Sequence, residues 1–102
     1  MNKLFELARL YTQQFPRGND PYQIVSRILE ECGEVAAEVN HFEKSGVKAE
    51  KMGEPKKENM AGEIKQAINA LIQLAQYYDV EQELQDSIDA SIERRKKALG
   101  MI

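Results

Sequence analysis

The chain has 102 residues, of which 42% are hydrophobic and 30% charged, and its net charge is −3. This length predicts a single domain, residues 1–102, and the negative charge argues against a general nucleic-acid binder, which is usually basic. No apolar run approaches the roughly 20 residues that a membrane span needs, so we expect no membrane contact. The opening residues lack an apolar signal core, and we expect a cytoplasmic protein.

Local signals predict the first two helices. Residues 2–14 place apolar side chains at i, i+3, i+4 and i+7, the spacing of an amphipathic helix. Residues 15–19 contain proline and glycine, which break it. The next helix is predicted to run from Pro21 to about Phe42, because Asp20 is a good N-cap and proline is favoured at the first helical position.

The second helix carries carboxylates beside its apolar stripe. Glu31, Glu34 and Glu38 share one flank, and carboxylates at this spacing repel one another by about a few tenths of a kcal/mol per pair. A hard divalent metal would compensate the repulsion, and a solvated helix edge is the alternative. Cys32 is predicted to be a small core residue. His41 is interpreted as a hydrogen-bonded residue of the helix end, rather than a catalytic base.

The segment 44–58 shows no apolar periodicity. It holds five lysines and the helix breakers Gly46, Gly53 and Pro55, which predicts a loop of about 15 residues. Its lysines alternate with glutamates, which favours a solvated loop. A cationic flap over an anionic ligand is the alternative.

Asn59 is the predicted N-cap of a third long helix, at about residues 60–78. The apolar arc of this helix is wide, which is typical of a central helix with more than one neighbour. Its opposite face is predicted to be polar, with Asn69, Gln73 and Gln76.

A last helix is predicted over residues 80–99, with Asp79 as its N-cap and Gly100 at its end. Arg95 falls within the apolar stripe of this helix. In one interpretation, the aliphatic part of its side chain covers the edge of the core. In the other, its guanidinium group binds a phosphate or the acidic cluster. The sum is three or four helices and no strand, an all-α fold.

Glu63 lies on the apolar face of the third long helix, where a lone carboxylate is costly to bury unless it is paired or bound to a metal. Gln66 follows one turn later. Bundles build oxygen-rich metal sites from i, i+3 pairs on facing helices, and Glu31 with Glu34 supplies the other pair. Carboxylates suit Mg²⁺, whereas one cysteine and one histidine cannot make a zinc site.

At this point the sequence resembles a known family. Glu30-Glu31-Cys32-Gly33-Glu34 is similar to the EExxE half of the signature of MazG-like nucleoside triphosphate pyrophosphohydrolases, and the resemblance covers roughly residues 10–95. The ExxD half departs from the pattern, because Gln66 stands where the family has aspartate. The spacer between Glu34 and Glu63 is long for the family.

The resemblance implies a four-helix MazG-like bundle, completed by oligomerisation into a homodimer or homotetramer. It implies Mg²⁺-dependent (or Mn²⁺-dependent) hydrolysis of a nucleoside triphosphate to the monophosphate and pyrophosphate. The expected metal ligands are Glu31, Glu34, Glu63 and, weakly, Gln66; the expected water-orienting residues are Glu30 or Glu38; the expected phosphate contacts are Arg95 and Lys96.

Two alternatives stay open. The loss of the family aspartate favours a non-catalytic relative that binds nucleotide or metal as a sensor or regulatory subunit. A purely structural helical oligomer is the other. The sequence does not rank the aromatic residues Phe5, Tyr11 and Tyr22 as contacts to a base.

Overall fold

The structure, a computed structural model, describes the whole chain apart from the side chain of Ala49. Its described residues form five helices and no strand, so the all-α prediction is confirmed. In chain order the helices are α1 (Asn2–Gln14), α2 (Pro21–Phe42), α3 (Gly46–Lys51), α4 (Lys57–Tyr77) and α5 (Glu81–Ala98). None of these described helices is both long and apolar enough to cross a membrane.

The start of α2 is fixed by its local sequence, as predicted. The Asp20 carboxylate accepts a hydrogen bond from the Gln23 backbone N–H at 2.9 Å. The Gln23 side chain accepts in return from the Asp20 N–H at 3.4 Å. This reciprocal capping box satisfies backbone donors that a helix N-terminus would otherwise leave free, and Pro21 follows in the first turn.

The predicted loop of residues 44–58 is wrong in its middle and at its end. Gly46–Lys51 forms α3, and α4 begins at Lys57. Asn59 therefore lies inside α4, and the N-cap is Lys56, whose side chain makes no capping hydrogen bond. The short helix α3 packs on α2. This contact lies between segments, so the apolar periodicity of residues 44–58 alone could not predict it.

Asp79 is also wrong as a cap. Its φ of 55° is left-handed, a conformation that aspartate tolerates better than most residues, and it ends α4 instead of starting α5. Val80 is the N-cap of α5, and again its side chain makes no capping bond. At the other end Gly100 has a φ of 71°, which is the left-handed C-terminal signal that the sequence predicts.

The core lies where α4 packs against α1 and α2, so the central position predicted for α4 is confirmed. Phe5 and Ala8 of α1 and Ile72 of α4 form its buried cluster, and Leu84 of α5 packs at its edge. Ile24 of α2 is 1% exposed.

The prediction that Asn69 and Gln73 lie on a polar face opposite the apolar arc of α4 is wrong, because both are buried. Gln73 is only 7% exposed, and its amide accepts from Arg27 Nη2 at 3.1 Å and donates to Thr12 Oγ1 at 3.0 Å. These bonds join α4 to α2 and α1 and satisfy the amide, which permits its burial. Asn69 is buried as well, whereas Leu71 is 50% exposed.

The buried side of α2 also differs from the predicted stripe. Its fully buried residues are Ile24, Glu38 and His41, whereas Val39 is 45% exposed. Cys32 is exposed, so its prediction as a core residue is wrong. Lys48 of α3 contacts Glu38, and Gly53 of the following loop contacts His41. The side of α2 that carries Glu38 and His41 is therefore buried, and the side that carries Cys32 is exposed.

No described residue of α5 is buried. An open apolar groove of about 730 Å³ lies between α4 and the first half of α5. It is lined by Met1, Leu4, Ile68, Leu71, Ile72, Leu74, Ala75, Tyr78, Val80, Glu83, Leu84, Ser87 and Ile88.

Candidate functional site

Carboxylates from α2 and α4 lie within electrostatic range of one another. Partial burial raises the pKa of Glu31 above its usual value, and the charges of Glu63, Glu34 and Glu30 raise it further, while Arg27 opposes them. The effect of Glu63 is informative, because it acts from α4 on a residue of α2. The structure therefore places Glu63 within electrostatic range of Glu31, although the two residues belong to separate sequence segments.

These side chains are not gathered around one point. Among the described residues, no three acidic, histidine or cysteine side chains form a group that could hold a metal ion. The donors are nevertheless carboxylate oxygens, the ligands that Mg²⁺ prefers. The pKa of Glu31 is raised first by burial and then by repulsion from its neighbours, and a cation would relieve that repulsion. By donor chemistry, Glu31, Glu34 and Glu63 fit a hard divalent cation, and the half-buried Gln66 offers a neutral oxygen on the same helix as Glu63.

One cation of the chain already faces this cluster. Lys48 Nζ donates a 2.5 Å hydrogen bond to Oε1 of Glu38, whose side chain is almost fully buried. This hydrogen bond raises the pKa of Lys48; burial opposes the rise, and the charges of Glu38, Glu34 and Glu63 add to it. Lys48 thus contacts Glu38 of α2 and lies within electrostatic range of Glu63 on α4.

His41 ties the loop after α3 to α2. It is 3% exposed, and its Nε2–H donates to the Gly53 carbonyl at 2.6 Å. The interpretation of His41 as a hydrogen-bonded residue at the helix end is confirmed. Its Nδ1 lies 4.0 Å from Oε2 of Glu38, and neither atom has a hydrogen-bond partner among the described residues.

A first cavity of about 410 Å³ opens beside Glu38 and Glu63. Besides these two, it is lined by His41, Lys48, Met52, Glu54, Lys56, Glu58, Asn59, Gly62, Lys65 and Gln66. Three lysines line it, two of them from the segment 44–58, together with four glutamates. Lysines of the cationic-flap alternative therefore border the cavity, but the lining carries charges of both signs. The ammonium groups attract phosphate and the carboxylates attract cations, so the lining suits a phosphate-bearing ligand that arrives with a cation.

A second cavity of about 250 Å³ lies between α1, α2 and α4. It is lined by Tyr11, Phe15, Arg17, Asn19, Arg27, Glu31, Gln66, Asn69, Ala70 and Gln73. Gln66 lines both cavities, so they are neighbours on either side of this residue. Glu31 faces the second cavity and Glu63 the first, which places the acidic cluster at their border.

Four of the predicted site residues line neither cavity. Glu30 and Glu34 are exposed residues of α2 outside both linings. Arg95 and Lys96 are on α5, and they too line neither cavity. Sequence reasoning missed Phe15 and Asn69 as lining residues, because Phe15 stands in a helix-breaking segment and Asn69 was assigned to a solvated face.

Comparison with protein-family models, with curated proteins and with solved structures gives no match to this chain. A functional assignment therefore has to be argued from the residues of the site.

Proposed function

We propose that this protein is a MazG-like enzyme that hydrolyses a nucleoside triphosphate to the monophosphate and pyrophosphate, with Mg²⁺ or Mn²⁺ as cofactor. The observation that carries the proposal is the pair of adjoining cavities, of which Glu63 of α4 lines the first, Glu31 of α2 lines the second and Gln66 lines both. Residues from the two halves of the split sequence motif therefore lie at one border, and the effect of Glu63 on the pKa of Glu31 agrees with this. The lining of the first cavity combines three lysines with four glutamates, which supports the choice of a phosphate ligand that binds together with a metal ion.

In this proposal Glu31, Glu34 and Glu63, none of which is fully buried, would turn their side chains toward one point to hold the metal, and Gln66 would add a neutral oxygen. The bound metal would neutralise phosphate charge and lower the pKa of a water molecule. Glu30 or Glu38 would orient the attacking water.

The lysines of the first cavity would bind the phosphates. Lys48 and Lys56 enter it from the segment 44–58, and Lys65 enters it from α4. Arg95 and Lys96 would contribute phosphate contacts only from a second copy of the chain, because on their own chain they line neither cavity. We place the reaction in the cytoplasm, the location expected from the sequence.

We further infer a homodimer or homotetramer, in which a second copy closes a four-helix bundle. The apolar groove between α4 and α5 supports this inference, since Glu83 and Ser87 are the polar residues in an otherwise apolar lining. Exposed apolar surface with polar residues at its edge often marks a protein interface. The half-exposed Leu71 lies in its middle.

A second candidate function is binding of nucleotide or metal without turnover, as in a sensor or regulatory subunit. Gln66 favours it, since replacing a carboxylate by an amide removes one negative charge from the expected ligand set. Even changes next to metal ligands cost about 10–100-fold in metal affinity or activity, and a change of ligand should cost at least as much.

Release of pyrophosphate tests the proposal. The purified protein is incubated with Mg²⁺ or Mn²⁺ and each ribo- and deoxyribonucleoside triphosphate. We expect release from at least one nucleotide, loss of release in Glu31→Gln and Glu63→Gln, and normal release in Glu6→Gln, a control at an exposed position of α1. No release from any nucleotide would contradict hydrolysis. Calorimetric binding without release, together with release by Gln66→Asp, would favour the second candidate.

A further inference from the structure

The second cavity contains a buried amide that the proposed chemistry does not use. Asn69 is 6% exposed, and its Oδ1 has no hydrogen-bond partner among the described residues. Its neighbour Gln73 is different, because Gln73 already bonds to Arg27 and Thr12. A buried polar atom without a partner is unfavourable, so the oxygen of Asn69 is available to a ligand that enters the cavity.

An aromatic wall lies in the same cavity. The ring centroids of Tyr11 and Phe15 are 6.1 Å apart with an angle of 39° between the planes. Phe15 is 56% exposed although it is apolar, and it lines the cavity. Aromatic side chains stack on any planar heterocycle, and amides form hydrogen bonds with the edges of bases.

We propose that the second cavity binds the base of a nucleotide, with Phe15 stacked on the ring and Asn69 Oδ1 accepting a hydrogen bond from an N–H group on its edge. This inference rests on the proposed function, because the sugar and phosphates would pass Glu31 and Gln66 toward the first cavity. The volume of about 250 Å³ agrees, since pockets for whole ligands measure roughly 300–1,000 Å³. The cavity is suited to the base alone.

Two variants and one matched control test the site. Phe15→Leu keeps an apolar side chain at an exposed position and removes the stacking ring. Asn69→Ala removes the unpartnered amide from the interior of a helix, where alanine is well tolerated. Tyr22→Leu is the control, because Tyr22 is an aromatic residue that is 87% exposed and lines neither cavity.

Binding is measured by calorimetry without divalent metal, using AMP, GMP, CMP, UMP and dTMP, with ribose 5-phosphate as the ligand that lacks a base. We expect at least one nucleotide to bind about tenfold more tightly than ribose 5-phosphate. Phe15→Leu and Asn69→Ala should each abolish most of that difference, and Tyr22→Leu should preserve it. Equal binding of ribose 5-phosphate, no nucleotide binding, or unchanged binding by both variants would overturn the base site.

The experiments distinguish a wrong base-site proposal from a wrong hydrolysis proposal. If inorganic tripolyphosphate were cleaved as fast as every nucleoside triphosphate, the base site would be overturned and the metal-dependent chemistry would stand. If base binding depended on Phe15 and Asn69 while no nucleotide released pyrophosphate, the site would stand and the hydrolysis would be contradicted.

Discussion

Lys48 of α3 and Glu38 of α2 are joined by a 2.5 Å hydrogen bond at the edge of the first cavity. Glu38 is 2% exposed, so its charge is compensated mainly by a residue from another helix. His41 adds a second tie through Gly53. These two contacts hold the segment after α2 against the acidic cluster, and they explain why a lysine-rich sequence is ordered there.

The first prediction concerns the stability given by this pair. Lys48→Met leaves the buried Glu38 carboxylate without its donor, and we expect the free energy of unfolding to fall, because an unsatisfied buried acceptor destabilises the folded state. Urea denaturation at neutral pH measures it. Lys51→Met is the control, because Lys51 lies on the same short helix and is exposed. An equal loss in both variants would show that the pair has no special role.

The second prediction concerns pH. The folded protein raises the pKa of Glu31 above its unfolded value of 4.5, so the folded state binds the proton more tightly. The contribution of Glu31 to stability is therefore full below pH 4.5 and is lost as the pH rises through the folded pKa. We expect Glu31→Gln to be more stable than the wild type at pH 7, an advantage that disappears near pH 4.

Thermal unfolding from pH 4 to pH 7 measures this dependence. Glu6→Gln is the matched control, and it should follow the wild type at every pH. If Glu31→Gln were less stable than the wild type at pH 7, the ionised Glu31 would be stabilising and the acidic cluster would not be repulsive.

The third prediction concerns metal. We expect Mg²⁺ to raise the Tm of the wild type and not that of Glu63→Gln, because a ligand that binds the folded state stabilises it. Gln66→Asp should bind Mg²⁺ about 10–100-fold more tightly, as judged from the concentration dependence of Tm. Gln13→Asp adds the same charge at an exposed position of α1, and it should leave the affinity unchanged. If Mg²⁺ left the Tm of the wild type and of every variant unchanged, the proposed metal site would be contradicted.

The fourth prediction concerns assembly. Leu71→Glu places a charge in the apolar groove between α4 and α5, and we expect it to dissociate the proposed oligomer into monomers. Leu10→Glu is the control, since Leu10 is 52% exposed against 50% for Leu71 and does not line the groove. Sedimentation at micromolar concentration separates the outcomes. A monomeric wild type would contradict the oligomer.

The helix boundaries that the sequence determined are those with short-range causes. Asp20 and Gln23 cap α2 through bonds within one turn, and Gly100 ends α5 through its own backbone freedom. The boundary at Asp79 failed because the same residue type favours an N-cap and tolerates the left-handed conformation. Local sequence does not choose between the two; the packing of α4 and α5 does.

Helical spacing and the family resemblance predict Glu31, Glu34 and Glu63 as site residues, and the structure shows Glu34 and Glu63 within electrostatic range of Glu31. What surrounds them was decided by tertiary structure. Gln73 is buried because Arg27 and Thr12 on other helices satisfy its amide, and no periodicity within α4 contains that information. Sequence spacing determines which side chains share a face of a helix. Which face is buried depends on the partners that other helices bring to it.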